Sequence, residues 1–201
     1  MKKVFLSACV LFSALCFTSC EDEEVSQSTY ALEKSSSKVT WKGYSPVLFH
    51  DGSFIVQSQD IKVENGVVVS GTFTIPIATI ENFDLPDEVK PVLLEHLKSP
   101  DFFNLALHPT ASFKITKVQP LANASEGTNY TVTGDFTMLG QTHPITFPAK
   151  INLEGSNLNL EASFKLDRTK WGMTYAADPA LEEHHILPEV DIEFDLTAQK
   201  K

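Results

Sequence analysis

The 201-residue chain carries 26 acidic against 16 basic residues, a net charge of −10. A surface of that sign repels nucleic acid and anionic lipid head groups, so nucleic-acid binding is not expected. The length suits one domain of moderate size plus a targeting segment.

Lys2 and Lys3, followed by the apolar run from Val4 to Leu15, read as a secretory signal over residues 1–19. Its core is too short to serve as a membrane span. The signal runs into Phe17-Thr18-Ser19-Cys20, which resembles a bacterial lipobox, with Phe17 standing where Leu is usual. Cys20 is therefore the expected lipidation site; the plainer alternative is a free thiol beside an ordinary cleavage site. Cys9 and Cys16 fall within the signal, which leaves the folded part without a cysteine for a disulfide. Buried acyl methylenes contribute about 0.8 kcal/mol each, so a multiply acylated Cys20 would hold the domain on a membrane that it does not span. Residues 20–28 read as an acidic flexible tether. Its run Glu21-Asp22-Glu23-Glu24 resembles the surface-export tag of some Gram-negative lipoproteins, or is a solvated spacer. The expected location is the cell envelope, periplasm-facing or surface-exposed, at the outer membrane.

Residues 29–33 and 38–44 read as two short strands joined by serines, with Val39, Trp41 and Gly43 on the inner face. His50-Asp51-Gly52 reads as a turn, and residues 54–63 as one or two more strands. After Asn65-Gly66, a strong hairpin signal, comes a long strand with Val67, Val69, Gly71, Phe73, Ile75 and Ile77 facing in. Between Pro86 and Lys98 the period becomes helical, through Val89, Val92, Leu93 and Leu97, and Pro91 implies a late start or a kink. Ser99-Pro100-Asp101 suggests the cap of a second short helix through Asn104, packed down by Phe102 and Phe103. Residues 112–118 return to strand, with Phe113 and Ile115 on one face.

The clearest alternation runs from Tyr130 to Leu166. Tyr130, Val132, Gly134, Phe136 and Met138, then Ile145, Phe147, Ala149 and Ile151, then Leu158, Leu160, Ala162 and Phe164 give three strands one apolar face. Turns fall at residues 140–144 and 154–157. An irregular segment, 167–188, precedes a last strand with Val190, Ile192, Phe194, Leu196 and Ala198 inside. About eight strands and a helical insertion predict an all-β fold, a single antiparallel barrel of a size that holds one small ligand.

Several segments resemble the YceI-like family: 97–103 (Leu-Lys-Ser-Pro-Asp-Phe-Phe) with 108–115, the Gly134–Pro144 stretch with its Gly140-Gln141-Thr142-His143-Pro144 end, and Asp167-Arg168-Thr169-Lys170-Trp171-Gly172-Met173. Residues 30–33 through Trp41 fit the family's opening, with Glu33 where Asp is commoner. The resemblance covers about 28–199, and it implies a lipocalin-like barrel over 29–199 whose apolar pore holds a long amphiphile: a polyisoprenoid, an isoprenoid quinone or a fatty-acid derivative.

Enzymatic signatures are absent: there is no Gly-x-Ser-x-Gly elbow, no phosphate loop and no CxxC. No cofactor is called for, and the chain is not expected to be an enzyme. His184-His185 beside Glu182-Glu183 fits no common metal site, and His50, His96, His108 and His143 read as structural. The expected pore residues are Trp41, Phe73, Ile75, Phe113, Phe136, Phe147, Phe164 and Phe194, all equally serviceable as core. Leu93, Leu97, Phe102 and Phe103 are expected to cap one end. Arg168, the one arginine, suits a phosphate or carboxylate head group, with an ion pair that fastens its loop as the alternative. Lys170, Trp171 and Tyr175 are the other head-group candidates. Trp in place of Gly134 or Ala162 is expected to block the pore without unfolding the barrel. The leading expectation is a tethered lipid carrier. The rivals are a ligand-free structural or interaction barrel and, behind it, a lipid-acting enzyme; the identity of any protein partner and self-association stay open.

Overall fold

The computed structural model describes residues 25–33, 37–122 and 127–201. The signal, Cys20 and residues 21–24 lie outside these, as do Ser35 and Ser36 of the first linker. Strands β1 (Gln27–Leu32), β2 (Lys38–Tyr44), β3 (Phe49–Ile55), β4 (Ile61–Glu64), β5 (Val67–Ser70), β6 (Thr72–Pro76) and the two-residue β7 (Glu81–Asn82) precede helix α1 (Lys90–Lys98). Then come β8 (Thr110–Pro120), β9 (Tyr130–Met138), β10 (Gln141–Glu154), β11 (Asn157–Asp167) and β12 (Glu189–Lys200). All pairings are antiparallel.

The sheet curls into a nearly closed barrel because β12 is long enough to serve two neighbours. Its first half pairs with β2 (Asp191↔Lys42 to Asp195↔Lys38) and its last residues pair with β1 (Ala198↔Leu32 to Lys200↔Tyr30). In one direction the wall runs β12, β11, β10, β9, β8, β6. In the other, β2 pairs with β3, and just past β3 Gln57 and Thr74 exchange backbone bonds of 2.9 and 2.8 Å, which ties that end to β6. At the opposite rim the path β1, β4, β5 meets β8 through Ile115 N–H to Gly71 O at 2.9 Å. Each end is therefore ringed by about eight strands, the number at which a barrel interior just accommodates side chains or one ligand.

The two ends differ inside. At the end carrying the Asn65-Gly66 turn, Tyr30, Ile61, Val63, Val68, Leu158 and Ala198 are fully buried and fill the barrel. Val25 and Ser26, where the described chain starts, lie at this end, since Ser26 exchanges hydrogen bonds with Asn65. At the other end sit α1, the 45–48 connection and the 168–188 segment.

Four local expectations are corrected. His50-Asp51-Gly52 is not a turn but the middle of β3; a side chain at Gly52 would strike the Glu81 backbone and the Trp41 ring, so glycine is there for close packing. The strand from Val67 to Ile77 is interrupted, and Val69 is an extra residue between Val68, opposite Val63, and Ser70, opposite Lys62, which inverts the phase: Val68 is buried and Val69 exposed, while Gly71 and Phe73 point in as expected. A bulge of this kind exchanges faces because side chains alternate with a period of two. The segment 99–104 forms turns, not a helix, although Phe102 is buried as expected. The β9–β10 turn is confined to Leu139 and Gly140, and β10 already begins at Gln141. Pro91 does mark a late start, standing in the first turn of α1.

Candidate functional site

Above the filled end the barrel encloses a cavity of about 400 Å³. Alternation explains its wall, since inward positions on β8 to β12, among them Ala111, Phe113, Ile115, Phe136, Ile145, Phe147, Leu160, Phe164, Ile192 and Phe194, are apolar. All eight expected pore residues, Trp41, Phe73, Ile75, Phe113, Phe136, Phe147, Phe164 and Phe194, line it. Their rings form a belt in which Phe147 stacks on Phe164 at 4.4 Å and meets Phe113 at 5.5 Å and Phe194 edge-on at 6.0 Å. Small inward residues make the room: Ala111 and Ala149 are part of the lining. Gly134 and Ala162 are not. A side chain at Gly134 would run into the Phe113 ring and the Lys114 carbonyl, so tryptophan there would push β8 off the wall instead of filling the pore.

The cavity opens at the α1 end. Leu93, Leu97, Phe102 and Phe103 all face it, as expected of a cap. Val190, expected inside the last strand, also reaches the mouth; sequence reasoning missed Ser45, Leu48 and Ile186, which come from connections without periodicity, and Tyr44 and His96, at the end of β2 and on α1. One signal was present: Val47, Leu48 and Phe49 are consecutive apolar residues at a strand junction, and all three are exposed. The Tyr44 hydroxyl donates to Asp191 at 2.6 Å and joins β2 to β12 at this rim. That bond holds the Asp191 carboxyl below the usual range and pushes the phenol up.

The four head-group candidates are separated by the fold. Arg168 is 3% exposed and lines the cavity. Its guanidinium donates to four backbone carbonyls: Met173 at 2.7 Å, Ile186 at 2.8 Å, Tyr175 at 3.0 Å and Leu187 at 3.3 Å. Among the described residues no carboxylate pairs with it, and burial lowers its pKa. Tyr175 is partly exposed and packs on His96 and Phe102 beside the mouth. Trp171 is 1% exposed and does not line the cavity; it packs edge-on against Phe136 at 5.3 Å and His143 at 5.4 Å, its indole N–H donating to Phe136 O at 3.0 Å. Lys170 is exposed on the outer side of the barrel, near Trp171.

A polar group on the cavity wall went unnoticed in the sequence. Trp41 Nε1 is buried without a hydrogen-bond partner, on a side chain that lines the cavity. Unpartnered buried donors are uncommon in folded proteins. His50 bonds Asp84 at 2.7 Å and His96 bonds Asp101 at 3.0 Å. Among the described residues no group of three His, Cys, Asp or Glu is placed to hold a metal ion, and no helix is long and apolar enough to cross a membrane.

The sequence profile of the YceI-like domain matches residues 30–198. A UPF0312 protein of Photorhabdus laumondii is 31% identical over 147 residues, which is 70% of this chain and 68% of that one. A UPF0312 protein of Pseudomonas aeruginosa is 31% identical over 103 residues, 48% of this chain and 51% of the relative, so the match spans about half of that relative's length. Among solved structures, BcnA of Burkholderia cenocepacia superposes with a TM-score of 0.64 at 20% identity, covering 83% of this chain and 98% of its own. A polyisoprenoid binding domain from Saccharophagus degradans gives a TM-score of 0.63 at 9% identity, over 87% of this chain and 99% of its own. These likenesses confirm the lipocalin-like barrel architecture. With the profile covering the barrel from β1 to β12, this chain belongs to the YceI-like family.

Proposed function

We propose that the protein binds one long-chain amphipathic lipid, a polyisoprenoid, an isoprenoid quinone or a fatty-acid derivative, and carries or sequesters it. The carrying observation is the cavity: about 400 Å³, walled by apolar side chains, filled below and open at one end. Burial of apolar chain at about 25 cal/mol per Å² drives such binding before entropy costs. The barrel of the Saccharophagus polyisoprenoid binding domain supports the same ligand class. Within the pore the eight expected residues hold the chain.

Binding is favoured over catalysis because the lining offers no acid and base facing one another. The ligand-free structural barrel, the chief rival, is disfavoured by an interior that its own side chains leave open. We further infer an exported lipoprotein anchored through acylated Cys20. The described chain starts at the filled end, so such an anchor would attach on the side of the barrel away from its mouth.

Trp41 and Trp171 are the two tryptophans, and only Trp41 lines the cavity. A fatty acid with a nitroxide on its chain should quench wild-type emission and quench Trp41→Phe far less. Equal quenching of both would remove the ligand from this cavity.

A further inference from the structure

The wall has a seam that the family's pore does not account for. β10 and β11 pair only from Lys150↔Glu161 to Glu154↔Asn157, at their turn. Both strands continue past that point, over residues 141–149 and 162–167, bonded only to their other neighbours β9 and β12. The cause is in the sequence. Leu139 and Gly140 form a two-residue turn, which makes Met138 and Gln141 a hydrogen-bonded pair and alternates the pattern from there. Thr142, Pro144, Thr146 and Pro148 then direct their backbone groups away from β9, toward β11. The close Thr133–Thr146 and Thr137–Thr142 hydroxyl pairs, 2.9 and 2.8 Å, fit that alternation. Prolines at 144 and 148 have no N–H to give, which removes donors that would extend the ladder beyond Lys150, where the pairing ends.

Where the ladder stops, side chains take over. Phe147 of β10 and Phe164 of β11 stack across the seam with their planes 6° apart. Outside this pair lies a slit between the two strands, and Ile145, Phe164 and Leu166 border both the slit and the interior cavity. The slit is polar on its outer side. Lys170 stands there without an ion-pair partner among the described residues; Asp167 also borders the slit, its Oδ1 accepting from the Thr169 N–H at 3.0 Å and hydroxyl at 2.6 Å, and the His143 ring, packed edge-on to Trp171 at 5.4 Å, has a buried Nε2 with no partner.

We propose that this seam is a lateral port: the lipid's apolar chain enters the barrel between β10 and β11 by displacing the Phe147–Phe164 stack, while the slit receives an anionic head group, phosphate or carboxylate, against Lys170 and His143. This rests on the lipid-binding reading and adds its route. No backbone bond has to break for the strands to part, and the two rings reclose the wall by stacking. A chain entering sideways slides over apolar side chains instead of being threaded end-on past Leu93 and Phe103 at the mouth.

The test is carried out on the full chain with Cys9, Cys16 and Cys20 replaced by serine, adding Pro148→Cys and Ser163→Cys, which would face each other if the ladder continued. Uptake of a nitroxide fatty acid is followed by tryptophan quenching. Oxidation, verified by loss of free thiol, should slow uptake by at least about 10-fold, and reduction should restore it. Phe164→Ala removes half of the stack and should speed uptake and release, whether or not the crosslink forms. Lys170→Glu should slow a fatty acid and leave the matching fatty alcohol unchanged. Equal rates in oxidised and reduced protein, or no acceleration in Phe164→Ala, overturn the port; equal slowing of acid and alcohol by Lys170→Glu overturns the head-group slit. If the wild-type and reduced proteins take up nothing, the lipid-binding reading fails, and that failure is distinct from failure of the port.

Discussion

Replacing Ala149 with tryptophan should abolish lipid binding in a barrel that still folds. Ala149 is buried on β10 and faces the cavity beside Phe147, so an indole there grows into open space. It would displace about 150 Å² of ligand contact, worth about 4 kcal/mol at 25 cal/mol per Å², or roughly three orders of magnitude in affinity. Because the side chain occupies a pre-existing void, the loss of stability should stay below about 1.5 kcal/mol. Lipid retained per mole of purified protein, read beside the melting temperature, checks both halves. Wild-type lipid content in a folded variant would place the ligand elsewhere. Gly134→Trp is the contrasting control. It meets the backbone of β8 and should unfold the barrel.

Arg168→Met should destabilise the domain more than any change in the pore. The guanidinium is the shared donor to the carbonyls of Met173, Tyr175, Ile186 and Leu187, and so it pins the whole 168–188 segment over the rim. Methionine approximates its volume and leaves four buried acceptors unpaired, at a total cost of about 3–5 kcal/mol. For a domain of this size that lowers Tm on the order of 10 °C. Arg168→Lys should recover little, since an ammonium cannot reproduce the planar fork. Thermal unfolding decides. A melting temperature near wild type combined with a large loss of lipid affinity would make Arg168 a head-group ligand instead of a clamp.

The pore was legible in the sequence because it depends on a single local rule. Side chains on β9 to β12 alternate, and the aromatic residues Phe136, Phe147, Phe164 and Phe194 on the inward parity reach the cavity. The site was less legible where the rule is interrupted. A bulge at Val69 shifts the phase of its strand by one residue, which leaves Val68 in and Val69 out, and nothing in a hydrophobic run announces it. Gly52 looked like turn punctuation, but its role is to admit the Trp41 ring and the Glu81 backbone, a contact between segments far apart in the chain. Arg168 was correctly singled out as unusual. Its four partners are backbone carbonyls, which every residue possesses, so composition could not reveal them. Pro144 and Pro148 were visible throughout, yet their consequence depends on which edge of β10 they face, and that is fixed by the two-residue turn at Leu139 and Gly140.

The central claim, that the hollow end of this barrel is a lipid site, is tested most directly by native mass spectrometry of protein purified from the cells that produce it, compared with the same sample after organic extraction. A lipid site requires one long-chain amphiphile per protein, removed by extraction, taken up again when isoprenoids or fatty acids are offered, and absent from Ala149→Trp. A wild-type protein that is empty as purified and stays empty when those lipids are offered would contradict it and leave the structural barrel as the reading.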